Sequence, residues 1–374
     1  MNRTDIPPGT DGNRDCRRVA HRPPRREKTN PRRANIVFPR KNDPAMPRRP
    51  LLAAAFGLLL SAFFAAPALA QDGWPQAGKT IQLIVPAPGG SGTGDTIARV
   101  LAEEMQTRLK TTFVIDNKAG ANGNIGASAA ATTPADGYHF LFSWAGTLAV
   151  NKALYKNLPF DAQKDFVPIL LVADVPNILV VNNDIPAKDL AEFEKYAKAN
   201  PGKLNFGSTG IGSSMHLAGE LYMRETGAQM VHVPYNAPGT ATTNLIAGEI
   251  QLMFQLIPGI AGQIKSGKVR AIAVMAPQRS PALPDVPTTA ELGQPKLLSS
   301  TWFALLAPKG TPPAVVARMN SVANEVIADP AVKKRLAEMG ASTLGGTSQQ
   351  LAKHLAEETE KWGRLVRDAK IAAQ

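Results

Sequence analysis

Two strand-to-helix turns built almost wholly of Gly, Ser, Thr and Pro constrain this chain more than any other feature. The first, Pro86-Ala87-Pro88-Gly89-Gly90-Ser91-Gly92-Thr93-Gly94-Asp95, follows the apolar run from Ile81 to Val85. The second, Gly207-Ser208-Thr209-Gly210-Ile211-Gly212-Ser213-Ser214-Met215-His216, follows Leu204-Asn205-Phe206. Each leads into a helical pattern. Such a turn gathers free backbone N–H groups and the positive end of a helix dipole at one point. That point suits a phosphate or a carboxylate equally. Two of them, far apart in the chain, predict one small acid held between two lobes.

The formal charge of +12 suggests a nucleic-acid partner until its distribution is read. Residues 1–50 carry 14 Lys and Arg against 5 Asp and Glu, and residues 51–70 carry none. The rest of the chain holds 28 basic and 25 acidic residues, a net of +3, so no nucleic-acid partner is expected. Met46-Pro47-Arg48-Arg49-Pro50, the apolar run from Leu51 to Phe64 and the ending Ala68-Leu69-Ala70 form the pattern of a secretory signal peptide over residues 46–70. Cleavage is expected after Ala70, giving a periplasmic product. Residues 1–45, rich in Arg and Pro, read as a disordered extension or as sequence upstream of a true start at Met46. Cys16, the one cysteine, lies there, so the exported part has no disulfide, Cys metal site or thiol nucleophile.

After residue 70, strand-like and helical patterns alternate, which predicts α/β architecture with largely parallel sheets. Strands are expected at 81–85, 112–115, 138–143, 203–207, 230–233, 250–254, 270–275 and 300–306. Two further runs, 169–173 and 178–181, are separated by Asp174-Val175-Pro176-Asn177, where the chain is expected to cross between lobes. An amphipathic helix carrying Ile97, Leu101, Met105 and Leu109 is expected to start near Asp95, with Asp95 as its N-cap. Helices are also expected at 124–131, 189–199 and 240–247. Thr311 and Asp329 read as N-caps followed by Pro, Gly340 as a stop, and Thr347 or Ser348 as the cap of a last helix packed through Leu351, Leu355, Trp362 and Leu365.

The common enzyme signatures fail. No Gly-Lys-Ser/Thr follows the first turn, and neither a dinucleotide fingerprint nor a Gly-x-Ser-x-Gly elbow can be read in either turn. The histidines His21, His139, His216, His232 and His354 contain no His-x-x-x-His pair, so no metal and no cofactor is expected. Ser213 and His216 fall one helical turn apart. A Ser–His catalytic pair is one reading, giving an exported hydrolase; a local hydrogen bond at a helix start is the commoner one.

Taken in order, several blocks resemble one family. Ile84-Val85-Pro86 with Pro88-Gly89-Gly90 and Asp95-Thr96-Ile97-Ala98-Arg99 is similar to the opening of the Bug proteins, extracytoplasmic solute receptors of tripartite tricarboxylate transporters. Asp116-Asn117-Lys118-Ala119-Gly120-Ala121-Asn122-Gly123, Pro134-Ala135-Asp136-Gly137-Tyr138 and His216-Leu217-Ala218-Gly219-Glu220 continue the likeness. So do His232-Val233-Pro234-Tyr235 and Ala307-Pro308-Lys309-Gly310-Thr311-Pro312, and the ordered set spans residues 74–374.

The resemblance implies a type II periplasmic-binding-protein fold, two α/β lobes joined by crossing strands with a ligand cleft between them. Residues 71–174 and 298–374 would form one lobe and 175–297 the other. It implies ligand-binding residues Pro88, Gly89, Gly90, Ser91, Thr93 and Asp95 in the first turn, and Thr209, Gly210, Ser213 and His216 in the second. Ser143, Tyr235 and Gly239 complete the set. The implied ligand is a small organic acid (a di- or tricarboxylate, an amino acid or an aromatic acid) passed by a monomeric receptor to the permease subunits of the transporter. A receptor that signals to a membrane partner is the alternative. Gln255 stands where relatives often have Asp, removing a negative charge.

Overall fold

The computed structural model describes residues 73–90 and 92–368. The leader, the extension with Cys16, Ser91 and the side chain of Leu365 lie outside the described residues.

Strands β1 (Thr80–Val85), β2 (Thr112–Asn117) and β3 (His139–Trp144) alternate with helices α1 (Gly92–Leu109) and α2 (Asn124–Ala131). β1 lies between β2 and β3, parallel to both. Leu83 and Val85 point to one core and Ile84 to another, as expected of a strand covered on both faces. A short α3 (Asn151–Leu154) precedes β4 (Phe166–Val181). The second half of the fold runs α4 (Leu190–Ala199), β5 (Leu204–Ser208), α5 (Ser214–Thr226), β6 (Met230–Pro234), α6 (Pro238–Ala247), β7 (Leu252–Leu256), α7 (Ile257–Lys265) and β8 (Arg270–Val274). β5 is parallel to β6 and β7, while β4 runs antiparallel to β7 and β8. β9 (Ser300–Pro308) then returns the chain antiparallel to β3 and β4. Helices α8 (Pro313–Ala328) and α9 (Pro330–Glu338), the two-residue β10 (Ser342–Thr343) and α10 (Ser348–Asp368) complete the order.

The result is a two-lobed α/β fold in which β4 and β9 serve as the crossing strands. The strand order is β2-β1-β3-β9-β4-β7-β5-β6, with β8 and β10 also paired to β4. One core packs Ile97, Leu101 and Met105 of α1 and Met319, Val322 and Val326 of α8 against Leu83, Phe140 and Phe142. Each such large buried side chain contributes about 1.5–3 kcal/mol. The other half has its own cluster, with Phe193, Phe206, Tyr222 and Phe254 mutually packed.

Three local expectations need correction. The runs at 169–173 and 178–181 form one unbroken strand, because Asp174-Val175-Pro176 pairs with β9 and Asn177 with β7. Asn177, fully buried, anchors it: Nδ2 donates to the Phe254 carbonyl at 2.8 Å and Oδ1 accepts from Ser299 Oγ at 2.9 Å. Helix α1 starts at Gly92, which places Asp95 inside its first turn rather than at the N-cap. Helix α8 is capped by Pro312, and Thr311 Oγ1 instead donates to the Pro308 carbonyl at 2.8 Å. The other caps form as expected. Asp329 accepts from the Ala331 N–H, and Thr347 exchanges hydrogen bonds with Gln350 in a capping box.

Candidate functional site

The carboxyl ends of the parallel strands β1, β3, β5 and β7 converge on one cleft, the place where open α/β sheets bind ligands. It encloses about 260 Å³. The first turn supplies Pro86, Ala87, Pro88, Gly92, Thr93 and Gly94, and the second supplies Thr209, Gly210, Ile211, Ser213, Ser214 and Met215. The N-termini of α1 and α5 therefore open onto the same space, and first-turn N–H groups have no partner within their own helix. None of the described lining residues is Asp, Glu, Lys, Arg or His. Whatever binds meets dipoles, hydroxyls and rings, not a formal charge.

The first turn is held from beneath by Asp95. Its carboxylate, 1% exposed, accepts from Gly90 N at 2.8 Å, Arg99 Nε at 2.8 Å and Asn117 Nδ2 at 2.8 Å. Burial works against its ionised form, but the hydrogen bonds from Arg99, Asn117 and Gly90 prevail and hold the carboxyl below its usual range. Asp95 thus shapes the loop and is not a lining residue. Gly92 adopts φ 83°, and a Cβ there would stand 3.0 Å from Pro238 Cγ at the start of α6. The two turns' lobes touch at that point.

The second turn is organised by its own polar side chains. Ser213 caps α5: its Oγ accepts from the His216 N–H at 3.3 Å and donates to the Gly210 carbonyl at 2.8 Å. The His216 ring accepts from Gly212 N at Nδ1 (3.2 Å), with Nε2 3.4 Å from Glu220. No hydrogen bond joins Ser213 Oγ to the imidazole, so the local reading of this pair holds. The His232 ring centroid lies 4.2 Å from that of His216, the rings tilted by 38°, and its Nε2 lies 2.6 Å from Ser208 Oγ. Burial, then the neighbouring His216, push the His232 ring down to about 4 against the opposing charge of Glu220.

Of the residues expected from the sequence, Pro88, Thr93, Thr209, Gly210, Ser213 and Tyr235 line the cavity. Gly89, Gly90, Asp95, Ser143, His216 and Gly239 do not; Ser143 is fully buried in β3, and Ser91 lies outside the described residues. Tyr235 is oriented by Asn244, whose Nδ2 donates to its hydroxyl at 3.0 Å.

Sequence reasoning missed a third loop and, apart from Gln255, the floor. Ala119 to Gly123 line the cavity, and Ala121 and Asn122 hold left-handed φ of 47° and 49°. That strained backbone is pinned by Asn151, which donates to the Asn122 carbonyl at 3.1 Å while accepting from Asn122 Nδ2 at 2.9 Å. Asn122 Nδ2 also reaches the Ile211 carbonyl of the second turn at 3.4 Å. The density of Asn and Gly between residues 117 and 124 was the available signal. Trp144, Tyr155, Leu256, Phe303, Thr301 and Gln255 form the walls and floor. Among the described residues, no cluster of three His, Cys, Asp or Glu could hold a metal, and no helix is long and apolar enough to cross a membrane.

Residues 97–371 match the tripartite tricarboxylate transporter family receptor. The chain is 37% identical over 318 residues to BugT of Bordetella pertussis, covering 85% of this chain and 97% of BugT. The adipate-bound structure of R. palustris Rpa4515 superimposes with TM-score 0.77 at 33% identity, over 80% of this chain and all of that one. The malate-bound MatC of Rhodopseudomonas palustris gives TM-score 0.71 at 31% identity, over 78% and 99%. With its two-lobed fold and uncharged cleft, the chain belongs to the Bug family of tripartite tricarboxylate transporter receptors.

Proposed function

We propose that the chain is an exported, periplasmic solute receptor that captures a small organic acid between its lobes and delivers it to the permease subunits of a tripartite tricarboxylate transporter. The observation that carries this reading is the convergence of the α1 and α5 N-termini on one cavity without charged walls. A carboxylate stripped of water is stabilised there only if several donors act together, which two helix N-termini and the Thr93 and Thr209 hydroxyls supply. Residues 71–174 and 298–374 would move against 175–297. The ligand would favour closure by binding the closed arrangement more tightly than the open one. Cleavage after Ala70 would release a monomer.

Adipate and malate, bound by the two R. palustris relatives, are the first ligands to try, followed by amino acids and aromatic acids. Isothermal titration of the mature protein should give saturable binding of at least one acid, lost in Thr209→Val. Failure of every acid to bind or to raise the melting temperature would overturn the reading. A hydrolase finds little support, since the Ser213 hydroxyl is committed to the Gly210 carbonyl.

A further inference from the structure

Resting on the reading of the cleft as an acid site, we infer that Trp144 is a further ligand-binding residue, whose indole N–H donates to the carboxylate held between the two turns. Trp144 ends β3, is half-buried and lines the cavity. A Cβ on Gly94 would stand 3.2 Å from its Cζ3, so the six-membered ring packs under the first turn of α1. A Cβ on Gly146 would stand 3.4 Å from its Cδ1 and 3.3 Å from the Gly212 carbonyl. Cδ1 is bonded to Nε1, so the donor edge of the indole lies on the side of the second turn. One side chain thus reaches across the space onto which the N-termini of α1 and α5 open.

This indole nitrogen differs from those of the other three tryptophans. Trp74 Nε1 donates to the Gly137 carbonyl at 3.0 Å, and Trp302 and Trp362 Nε1 both donate to Glu358 Oε2, at 3.2 and 2.8 Å. Trp144 Nε1 has no hydrogen-bond partner among the described residues. It is also not one of the walled-off polar atoms such as Ser143 Oγ, so it keeps accessible surface. The hydroxyl of Thr93, a lining residue 6% exposed beside Gly94, shares both properties. An indole N–H can only donate, so the group it meets must be an acceptor. The helix N-termini beside it are donors as well. An ionised carboxylate, which only accepts, satisfies such a convergence; its amide gives up one acceptor oxygen and brings two N–H donors among donors. When the lobes close and water leaves, a Trp144 N–H without an acceptor forfeits its hydrogen bond. The cavity of about 260 Å³ equals the volume of about nine waters at ~30 Å³ each, which suits a free acid of roughly ten non-hydrogen atoms.

Mature protein carrying ¹⁵N at its indole nitrogens, titrated with adipate, malate, benzoate and phenylacetate, tests this by NMR. The four tryptophans should give four indole N–H signals. Single Phe replacements of Trp74, Trp302 and Trp362 assign three of them and leave the fourth to Trp144. At saturation with whichever acid binds, the Trp144 signal should move downfield as its proton engages an anionic oxygen. Trp144→Phe keeps a ring under Gly94 and removes the donor, so it should lose about tenfold in affinity for that acid. Its affinity for the matching primary amide should change less, and its melting curve reports folding. A wild-type Trp144 signal that stays in place at saturation overturns the inference whether or not the variant folds. Full acid affinity in folded Trp144→Phe does the same. Absence of binding by all four acids and by the wider acid panel would instead overturn the receptor reading on which it rests.

Discussion

Asn117, the last residue of β2, donates through Nδ2 to Asp95 Oδ1 at 2.8 Å and ties that strand to the first turn of α1. The same carboxylate receives Gly90 N, so one buried side chain sets the shape of a ligand loop it does not line. Asp95→Ala would leave the Asn117 amide and the Gly90 N–H without their partner. We expect a loss of about 2–3 kcal/mol in stability together with weaker acid binding. Asp95→Asn, which keeps one acceptor oxygen, should recover part of both. Urea unfolding and titration calorimetry on the two variants check the pairing; an Asp95→Ala protein of wild-type stability would remove the assigned role.

His232 supplies a pH dependence with a definite sign. Its folded value near 4 lies below the usual 6.5, with burial the main cause, so the unfolded chain binds more protons between those values. Stability should therefore fall as pH drops from 6.5 towards 4, by roughly 2 kcal/mol once its partial exposure is allowed for. His232→Gln keeps a side chain able to meet Ser208 and should abolish this component. The check is the melting temperature of both proteins across that range, where the difference should grow on acidification in favour of the variant.

Asp174 acts in the opposite direction over an overlapping window. Burial raises its carboxyl from 3.8 to about 6, helped by the charge of Glu358 and opposed by hydrogen bonds from Ser300 and Val175 N–H. The folded state holds the proton that the unfolded state releases, so stability is lost as pH rises from 3.8 through 6. Asp174→Asn should be more stable than wild type above pH 6 by ~2 kcal/mol, with the advantage vanishing below about pH 4. Because the two contributions offset each other, the wild-type stability profile between pH 4 and 6.5 should be flatter than that of either variant. A wild-type profile steeper than both would contradict the assignment.

The sequence made the strand and helix order legible because periodicity and caps are local. The repeat at Ile97, Leu101, Met105 and Leu109 forms the buried face of α1, and Asp329 caps α9 as expected. Ser213 and His216 could be recognised as a helix-start pair for the same reason. What could not be read locally was set by distant partners. β4 runs unbroken through Asp174-Val175-Pro176-Asn177 because β9, more than a hundred residues later, pairs with it. Asp95 reads as a cap or a ligand contact until Asn117 and Arg99 are seen to occupy it. The floor residue Thr301 belongs to a strand whose apolar neighbours conceal it, and Gln255, noticed in the sequence for its missing charge, is brought to the cleft only by the crossing of β4, β7 and β9.

Gly92 offers the sharpest separation of binding from folding. At φ 83° an alanine is strained by about 1–2 kcal/mol, and its Cβ would also stand 3.0 Å from Pro238 Cγ across the cleft. The first effect belongs to one lobe and lowers stability whatever Pro238 does. The second opposes the approach of α1 and α6, and so acts on the closed arrangement that holds the ligand. Gly92→Ala should therefore lose stability and, in addition, more than tenfold in acid affinity. In the double variant Gly92→Ala/Pro238→Ala the bulk at position 238 is reduced. Gly92→Ala should then cost less affinity in the Pro238→Ala background than in the wild-type one, while the stability loss at position 92 remains. A double-mutant cycle in affinity with no coupling between the two positions would show that Gly92 and Pro238 do not meet in the ligand-bound state.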